Sequence, residues 1–280
     1  MALAHIPILR RGTPYESLDS IELVELRGGA PVARISQANG GIIRKDLQRI
    51  GVARDALVYV PEAAKQKPSP LVFVWHGHGG TAQAMVRRYQ LEKVWPEAIV
   101  VYPQGLNTPG RLTDPEGKRS GWQHSAGHMD DRDLKFFDAM LADLKKENKI
   151  DERGIYSTGH SNGGGFTYLL WAERGDTFAA VAPTAAAFSP EIGAKLKPKP
   201  VLHLAGENDR LVKYEWQQAV IEHLKKLNRC GEGKPWEVGC TWHDSELKTP
   251  VVAYIHPGAH GFPGGAERTI VKFFQSQTKP

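Results

Sequence analysis

The sequence predicts an α/β fold, with a mostly parallel central sheet and helices on both faces. Three observations predict it. Short apolar runs alternate with segments of helical period along most of the 280 residues, the pattern of strands joined through crossover helices. One run, Leu71-Val72-Phe73-Val74-Trp75, is apolar throughout, as suits a strand buried on both faces of a parallel sheet. Finally, Gly159-His160-Ser161-Asn162-Gly163 stands between a β-prone segment, 154–158, and a helical one, 166–172.

The elements follow in order. Ile21, Leu23, Val24 and Leu26 suggest an edge strand. A short strand over 57–60 is stopped by Pro61, which cannot donate to a ladder. Residues 63–70 are rich in Lys and Pro and read as exposed loop. The buried strand 71–75 runs into His76-Gly77-His78-Gly79-Gly80. Residues 81–95 read as helix ending before Pro96, and 99–102 as the next strand. Residues 103–129 follow neither period and carry Trp122, His124 and His128. A connection of that length inside a compact domain is disordered or functional, and a substrate-binding wall is expected here, with a solvated insertion as the alternative. Asp130-Asp131 can cap the next helix, where Leu134, Phe137, Leu141 and Leu144 recur at helical spacing through Asn148. Strands at 178–181 and 201–205, a helix at 215–227, a strand at 251–255 and a last helix at 266–275 complete the alternation. Residues 1–280 read as one catalytic domain, with 1–56 as N-terminal edge strands and loops.

Composition narrows the function. Lys plus Arg is 36 against 31 Asp plus Glu, a net charge of +5, and no basic run is long enough for a nucleic-acid arm. No stretch approaches the roughly 18 apolar residues of a membrane span. The start, residues 1–11, has a short apolar piece followed by its charges, which does not read as a signal peptide as written; a cytoplasmic protein or one whose leader is removed both fit. Cys230 and Cys240 can close a surface loop as a disulfide, implying an oxidising compartment, or stand as two thiols.

The chemistry gathers at turns. G-x-S-x-G between strand and helix is the context of a nucleophile elbow. The chain reverses sharply at the serine, and side chains two before or two after would collide, hence Gly159 and Gly163. The glycine-rich turn 76–80 can aim backbone N–H groups at a developing oxyanion, with the N–H of Asn162 as the second donor. His76 and His78, with Asp130 and His124 or His128, offer an alternative set of metal ligands. Strand 201–205 runs into Gly206-Glu207-Asn208-Asp209-Arg210, where Asp209, with Glu207 as competitor, can orient a histidine. Strand 251–255 leads to the glycine-rich loop that bears His260, with His256 as its rival. Each of Ser161, Asp209 and His260 thus stands in a turn after a strand, in the order Ser, Asp, His that α/β-hydrolases show.

Gly79-Gly80, Tyr102-Pro103-Gln104-Gly105, Asp130-Asp131, Gly159–Gly164, Phe178–Pro183 and Gly258-Ala259-His260-Gly261-Phe262-Pro263-Gly264 resemble the polyhydroxybutyrate-depolymerase-type esterases. That group also holds feruloyl and acetylxylan esterases, and the resemblance runs from about residue 57 to 274. It implies the α/β-hydrolase fold and hydrolysis of carboxylic esters without a cofactor or metal. It carries over Ser161, Asp209 and His260 as catalytic triad and His78 with Asn162 as oxyanion donors. Trp122, Gly79 and His160 are expected to touch substrate. The expected substrates are feruloyl or acetyl esters of plant polysaccharide, with polyhydroxybutyrate as the alternative and neither nucleic acid nor membrane as partner. Members often carry half-cystines near the Cys230 segment and a leader, which implies an extracytoplasmic protein and a Cys230–Cys240 disulfide under oxidising conditions. A metal-dependent hydrolase and a non-catalytic carbohydrate-binding protein remain the competing readings.

Overall fold

A computed structural model describes Ile42–Leu47 and residues 54–279; the expected edge strand at 21–26 lies outside them. The strands are β1 (Ile42–Leu47), β2 (Arg54–Tyr59), β3 (Ser69–Trp75), β4 (Ile99–Pro103), β5 (Leu106–Asn107), β6 (Ser120–Gly121), β7 (Ile150–His160), β8 (Ala180–Thr184), β9 (Val201–Gly206), β10 (Cys230–Pro235), β11 (Cys240–Ser245) and β12 (Val251–His256). The helices are α1 (Ala82–Tyr89), α2 (Leu91–Val94), α3 (Arg132–Glu147), α4 (Asn162–Arg174), α5 (Pro190–Gly193), α6 (Tyr214–Leu227) and α7 (Ala266–Gln275).

Among the described residues ten strands form one sheet in the order β1-β2-β4-β3-β7-β8-β9-β12-β11-β10. From β4 to β12 every neighbouring pair is parallel, and antiparallel strands flank this block on both edges. Residues 71–75 of β3 are wholly buried, which explains the unbroken apolar run. Their side chains alternate between two cores. Phe73 and Trp75 meet Phe137, Phe166 and Phe178 on one face. Val72 and Val74 meet Tyr89, Ile270 and Phe274 on the other. The strands therefore end in a row, and the turns leaving their carboxyl ends share one rim, where such sheets place their sites.

Several expectations change. The helix expected over 81–95 is two, α1 and α2, broken at Gln90, which takes φ 44°. Residues 103–129 include the small β5–β6 ladder. The expected cap at Asp130-Asp131 is not made by those residues. Asp131 Oδ1 accepts from Gln123 Nε2 and Gly127 N, and the N–H groups of Asp133 and Leu134 bind Gln123 Oε1 at 2.9 and 3.2 Å. A glutamine ten residues upstream caps α3, because Asp131 in the left-handed region (φ 55°) turns its carboxylate away.

The disulfide is also corrected: Cys230 and Cys240 are free thiols. They fall on the two strands of a hairpin, but Cys230 faces Ser245, five residues beyond Cys240. That offset separates the two Cα atoms by about 16 Å at 3.3 Å per residue, and a disulfide needs them within roughly 7 Å.

Candidate active site

Ser161 joins the last residue of β7 to the first of α4, at φ 57° and ψ −117°. A non-glycine residue adopts this conformation only where its surroundings impose it. Here the Ser161 N–H donates to Thr184 O at 2.8 Å, and Gly165 N donates to Ser161 O at 2.9 Å. The flanking glycines are steric necessities. A Cβ on Gly159 would stand 2.5 Å from Gly163 O, and one on Gly163 would drive into Trp75 O and His76 O.

His260 Nε2 lies 2.8 Å from Ser161 Oγ, and His260 Nδ1 lies 2.7 Å from Asp209 Oδ2. The loops that carry the histidine and the acid are stitched together. Glu207 N donates to His256 O, Asn208 N to Gly258 O and Asn208 Nδ2 to Pro257 O. Gly206 lets them approach, since a Cβ there would stand 2.6 Å from Gly258 O. Phe262 stacks on buried Tyr89, centroids 4.0 Å apart, and anchors the far side of the His260 loop. The rivals are placed elsewhere. Glu207 is exposed, and His256 Nδ1 accepts from Gly258 N within its own loop.

The Asp209 side chain is wholly buried, and its oxygens are fully engaged. Oδ1 accepts from Leu211 N and Val212 N at 2.9 and 3.0 Å, and Oδ2 from Gln217 Nε2 at 3.0 Å besides His260. Four donors around one carboxylate fix its plane.

The turn after β3 faces the serine. Gly79 N and Gly80 N are committed to Ser120 O and Gly77 O. Among the described residues the backbone N–H groups of His78 and Asn162 have no acceptor, and both residues line the cleft that holds Ser161. Their side chains serve the scaffold. His78 Nε2 pairs with Asp114 at 2.9 Å. Asn162 Oδ1 accepts from Trp122 N at 2.7 Å while its Nδ2 donates to Trp122 O at 3.1 Å.

His160 lines the cleft, its ring 5.0 Å from that of His260. Burial first, and then the neighbouring His260, lower its pKa to about 3, so it is neutral and its Nδ1 pairs with Thr184 Oγ1 at 3.1 Å. Gly79 lines the cleft as well. Trp122 does not. It is fully buried, 5.0 Å edge-to-face from Trp75 and stacked 5.4 Å from Phe166, with Nε1 donating to His76 O at 2.8 Å. The expectation that Trp122 walls the substrate is corrected: its loop does reach the cleft, through Gly110–Thr113 and His124, but the indole is the loop's anchor.

The other histidines do not converge. His76 is buried, with Nε2 accepting from Gly105 N at 2.8 Å and Nδ1 donating to Gly77 O, and burial lowers its pKa to about 4. His124 Nε2 donates to Pro109 O, and His128 Nδ1 accepts from His124 N. Among the described residues no three His, Cys, Asp or Glu side chains are grouped so as to hold a metal ion.

The cleft measures about 1490 Å³. Phe188, Ile192, Leu211, Val212, Trp216 and Val220 form an apolar wall, and Arg87, Arg88 and Arg111 also line it. Trp216, Leu211 and Leu112 remain 44%, 40% and 52% exposed at its rim. Sequence reasoning missed this wall. Its residues come from α5 and the segment before it, from α6 and from the loop after Asp209, and their spacing suits ordinary packing equally well.

No family model matches the chain. In sequence it is similar to a bifunctional acetylxylan esterase/xylanase of Neocallimastix patriciarum, 26% identical over 182 residues, which are 64% of this chain and 25% of that protein. It is also similar to feruloyl esterase D of Neurospora crassa, 25% identical over 223 residues, 75% of this chain and 74% of that one. The chain thus spans about a quarter of the first relative's length. A solved ferulic acid esterase superposes with a TM-score of 0.56 at 16% identity, over 85% of this chain and 96% of that one. The fold is that of the α/β-hydrolase esterases, and the sequence resemblance to feruloyl and acetylxylan esterases holds. The polyhydroxybutyrate-depolymerase side of that resemblance rests on the sequence motifs alone.

Proposed function

We propose that the protein is a serine carboxylic ester hydrolase, with Ser161 as nucleophile, His260 as general base and acid, and Asp209 as the group that fixes the histidine. The observation that carries this is the line Ser161 Oγ–His260 Nε2, 2.8 Å, continued by His260 Nδ1–Asp209 Oδ2, 2.7 Å, at a strained elbow. A hydroxyl becomes nucleophilic when a positioned base removes its proton. His260 Nε2 takes that proton as Oγ attacks the ester carbonyl, and ionised Asp209 stabilises the imidazolium and keeps the other proton on Nδ1. The N–H groups of His78 and Asn162 are the oxyanion donors in this reading; losing one such donor costs about 2.7–4 kcal/mol of barrier lowering. The imidazolium then protonates the departing alcohol, leaving an acyl-serine. Water, deprotonated by the same nitrogen, attacks the acyl carbon and releases the acid with Ser161 restored.

The substrates we infer are feruloyl or acetyl esters of plant polysaccharide. The names of the relatives support the class, and the apolar wall with exposed Trp216 favours the aromatic acyl group. Polyhydroxybutyrate is the alternative. The same reading makes residues 1–280 one catalytic domain and puts the protein where such esters lie, outside the cytoplasm. The test is Ser161→Ala: hydrolysis of p-nitrophenyl acetate and labelling by a fluorophosphonate should both vanish while thermal stability stays that of the parent. Wild-type turnover in this variant sinks the assignment. Activity on methyl ferulate, acetylated xylan and hydroxybutyrate oligomers separates the substrates, and EDTA should leave the rate unchanged.

A further inference from the structure

The hydrogen-bonded line that begins at Ser161 does not stop at Asp209. Gln217, wholly buried on α6, donates from Nε2 to Asp209 Oδ2 at 3.0 Å and to Val212 O at 2.7 Å. Its Oε1 faces His203 Nε2 at 3.4 Å, and His203 Nδ1 lies 2.6 Å from the Tyr168 hydroxyl. His203 on β9 and Tyr168 on α4 are fully buried as well.

Chemistry assigns every proton in this line. An ionised carboxylate only accepts, so Gln217 must turn its NH₂ toward Asp209. The amide oxygen then points at His203, which must carry its proton on Nε2. Burial lowers the His203 pKa to about 4, so the ring holds one proton and Nδ1 is an acceptor. The Tyr168 phenol, held protonated because burial raises its pKa, donates to that acceptor. The flipped amide would set a carbonyl against the carboxylate at 3.0 Å and an NH₂ against the His203 N–H. Among side chains this buried the repulsion between carbonyl and carboxylate is little screened, and a change of His203 tautomer would only pass the second conflict on to the Tyr168 hydroxyl.

We propose that Gln217 is a positioning residue for Asp209, and that His203, its proton placed by Tyr168, acts through Gln217 to hold that amide in the orientation the carboxylate needs. This rests on the triad reading above. The arrangement leaves Asp209 nothing to do but accept, and it reaches the imidazole only through the carboxylate. Outside the line, His160 is the titratable group that faces His260, with Arg88 and His256 beside His160 in turn and Glu207 beside His256; none belongs to the line.

Gln217→Glu is the decisive variant because it is isosteric. A second carboxylate then stands beside Asp209, and the two titrate as a pair. kcat/KM for p-nitrophenyl acetate should fall about tenfold or more, chiefly in kcat. Gln217→Leu and His203→Phe should each lower kcat with little change in KM. The double variant should be no worse than Gln217→Leu by more than about twofold, since His203 has nothing left to act through. A purely structural role predicts losses that add in the double variant and are not confined to kcat, and either result overturns the proposal; if His203→Phe does not fold, the kcat-against-KM split of Gln217→Leu decides alone. Should the wild-type protein neither hydrolyse the ester nor take up a fluorophosphonate at Ser161, the triad reading fails and this inference with it. A live wild type with an unaltered Gln217→Glu sinks the inference alone.

Discussion

Replacing Trp122 by Phe tests whether the indole anchors its loop or meets substrate. Two losses follow from the structure. The Nε1–H donated to His76 O at 2.8 Å disappears, and a buried acceptor left without its partner costs about 1–3 kcal/mol. Shrinking a bicyclic ring to a phenyl inside a packed core adds about 1–2 kcal/mol, by scaling from the 3–5 kcal/mol of a full aromatic-to-alanine change. The aromatic contacts with Trp75 and Phe166 persist in part, and the tether between the Trp122 backbone and Asn162 is untouched by the substitution. The expected destabilisation is therefore about 2–5 kcal/mol, read by equilibrium urea denaturation. Because the ring has no surface in the cleft, kcat/KM should change by the same factor for methyl ferulate and for p-nitrophenyl acetate, within about twofold. A loss for ferulate tenfold greater than for the acetate, or an unchanged denaturation midpoint, refutes the reasoning.

Three further outcomes are expected. Asp209→Asn should cost about 10³–10⁴ in kcat by allowing the wrong His260 tautomer, whereas exposed Glu207→Gln should stay within about twofold; a reversed ranking would reassign the acid. Asp133→Asn should destabilise by about 3–5 kcal/mol, since Asp133 is the partner of the fully buried Arg54 guanidinium at 2.8 Å; an unchanged midpoint would show that the Phe136 ring under that guanidinium suffices to hold it. Burial lowers the pKa values of His76, His160 and His203 to about 4, 3 and 4, so the unfolded chain binds more protons below its ordinary histidine range. Their stabilisation is full above about pH 6.5 and should fall, as pH drops toward 4, by up to about 4 kcal/mol per pH unit for the three together; a urea midpoint constant from pH 6.5 to 4.5 contradicts this.

What could be read in the sequence was whatever backbone sterics impose locally. A Cβ on Gly159 would meet the backbone of Gly163, a constraint that acts within five residues of chain, and one on Gly163 would meet the backbone of Trp75 and His76 at the end of the neighbouring strand. The strand 71–75 is uniformly apolar because both of its faces are covered. The β10–β11 hairpin gave no such signal: β10 is almost wholly exposed, so nothing forces alternation on Cys-Gly-Glu-Gly-Lys-Pro. Trp122 was misread for a related reason. Outside a periodic element an aromatic residue carries no indication of which way it faces, and a loop that crosses the strand ends can turn its ring into core or cleft alike.

The side chains behind Asp209 pose a harder case. Tyr168, His203 and Gln217 lie on three different elements, 35, 14 and 8 residues from their partners in the line. Each is individually explained as a residue of a packed interior. Only the coincidence of their polar atoms shows otherwise, and that depends on how β9 packs against α4 and α6. The elbow is a constraint on one turn and leaves its mark in consecutive letters. A line of hydrogen bonds is a constraint on three-dimensional neighbours, and any sequence that satisfies it at other spacings would serve equally well. Motifs therefore mark where the chemistry is exposed, and the groups that hold it in place come into view only when the chain is folded.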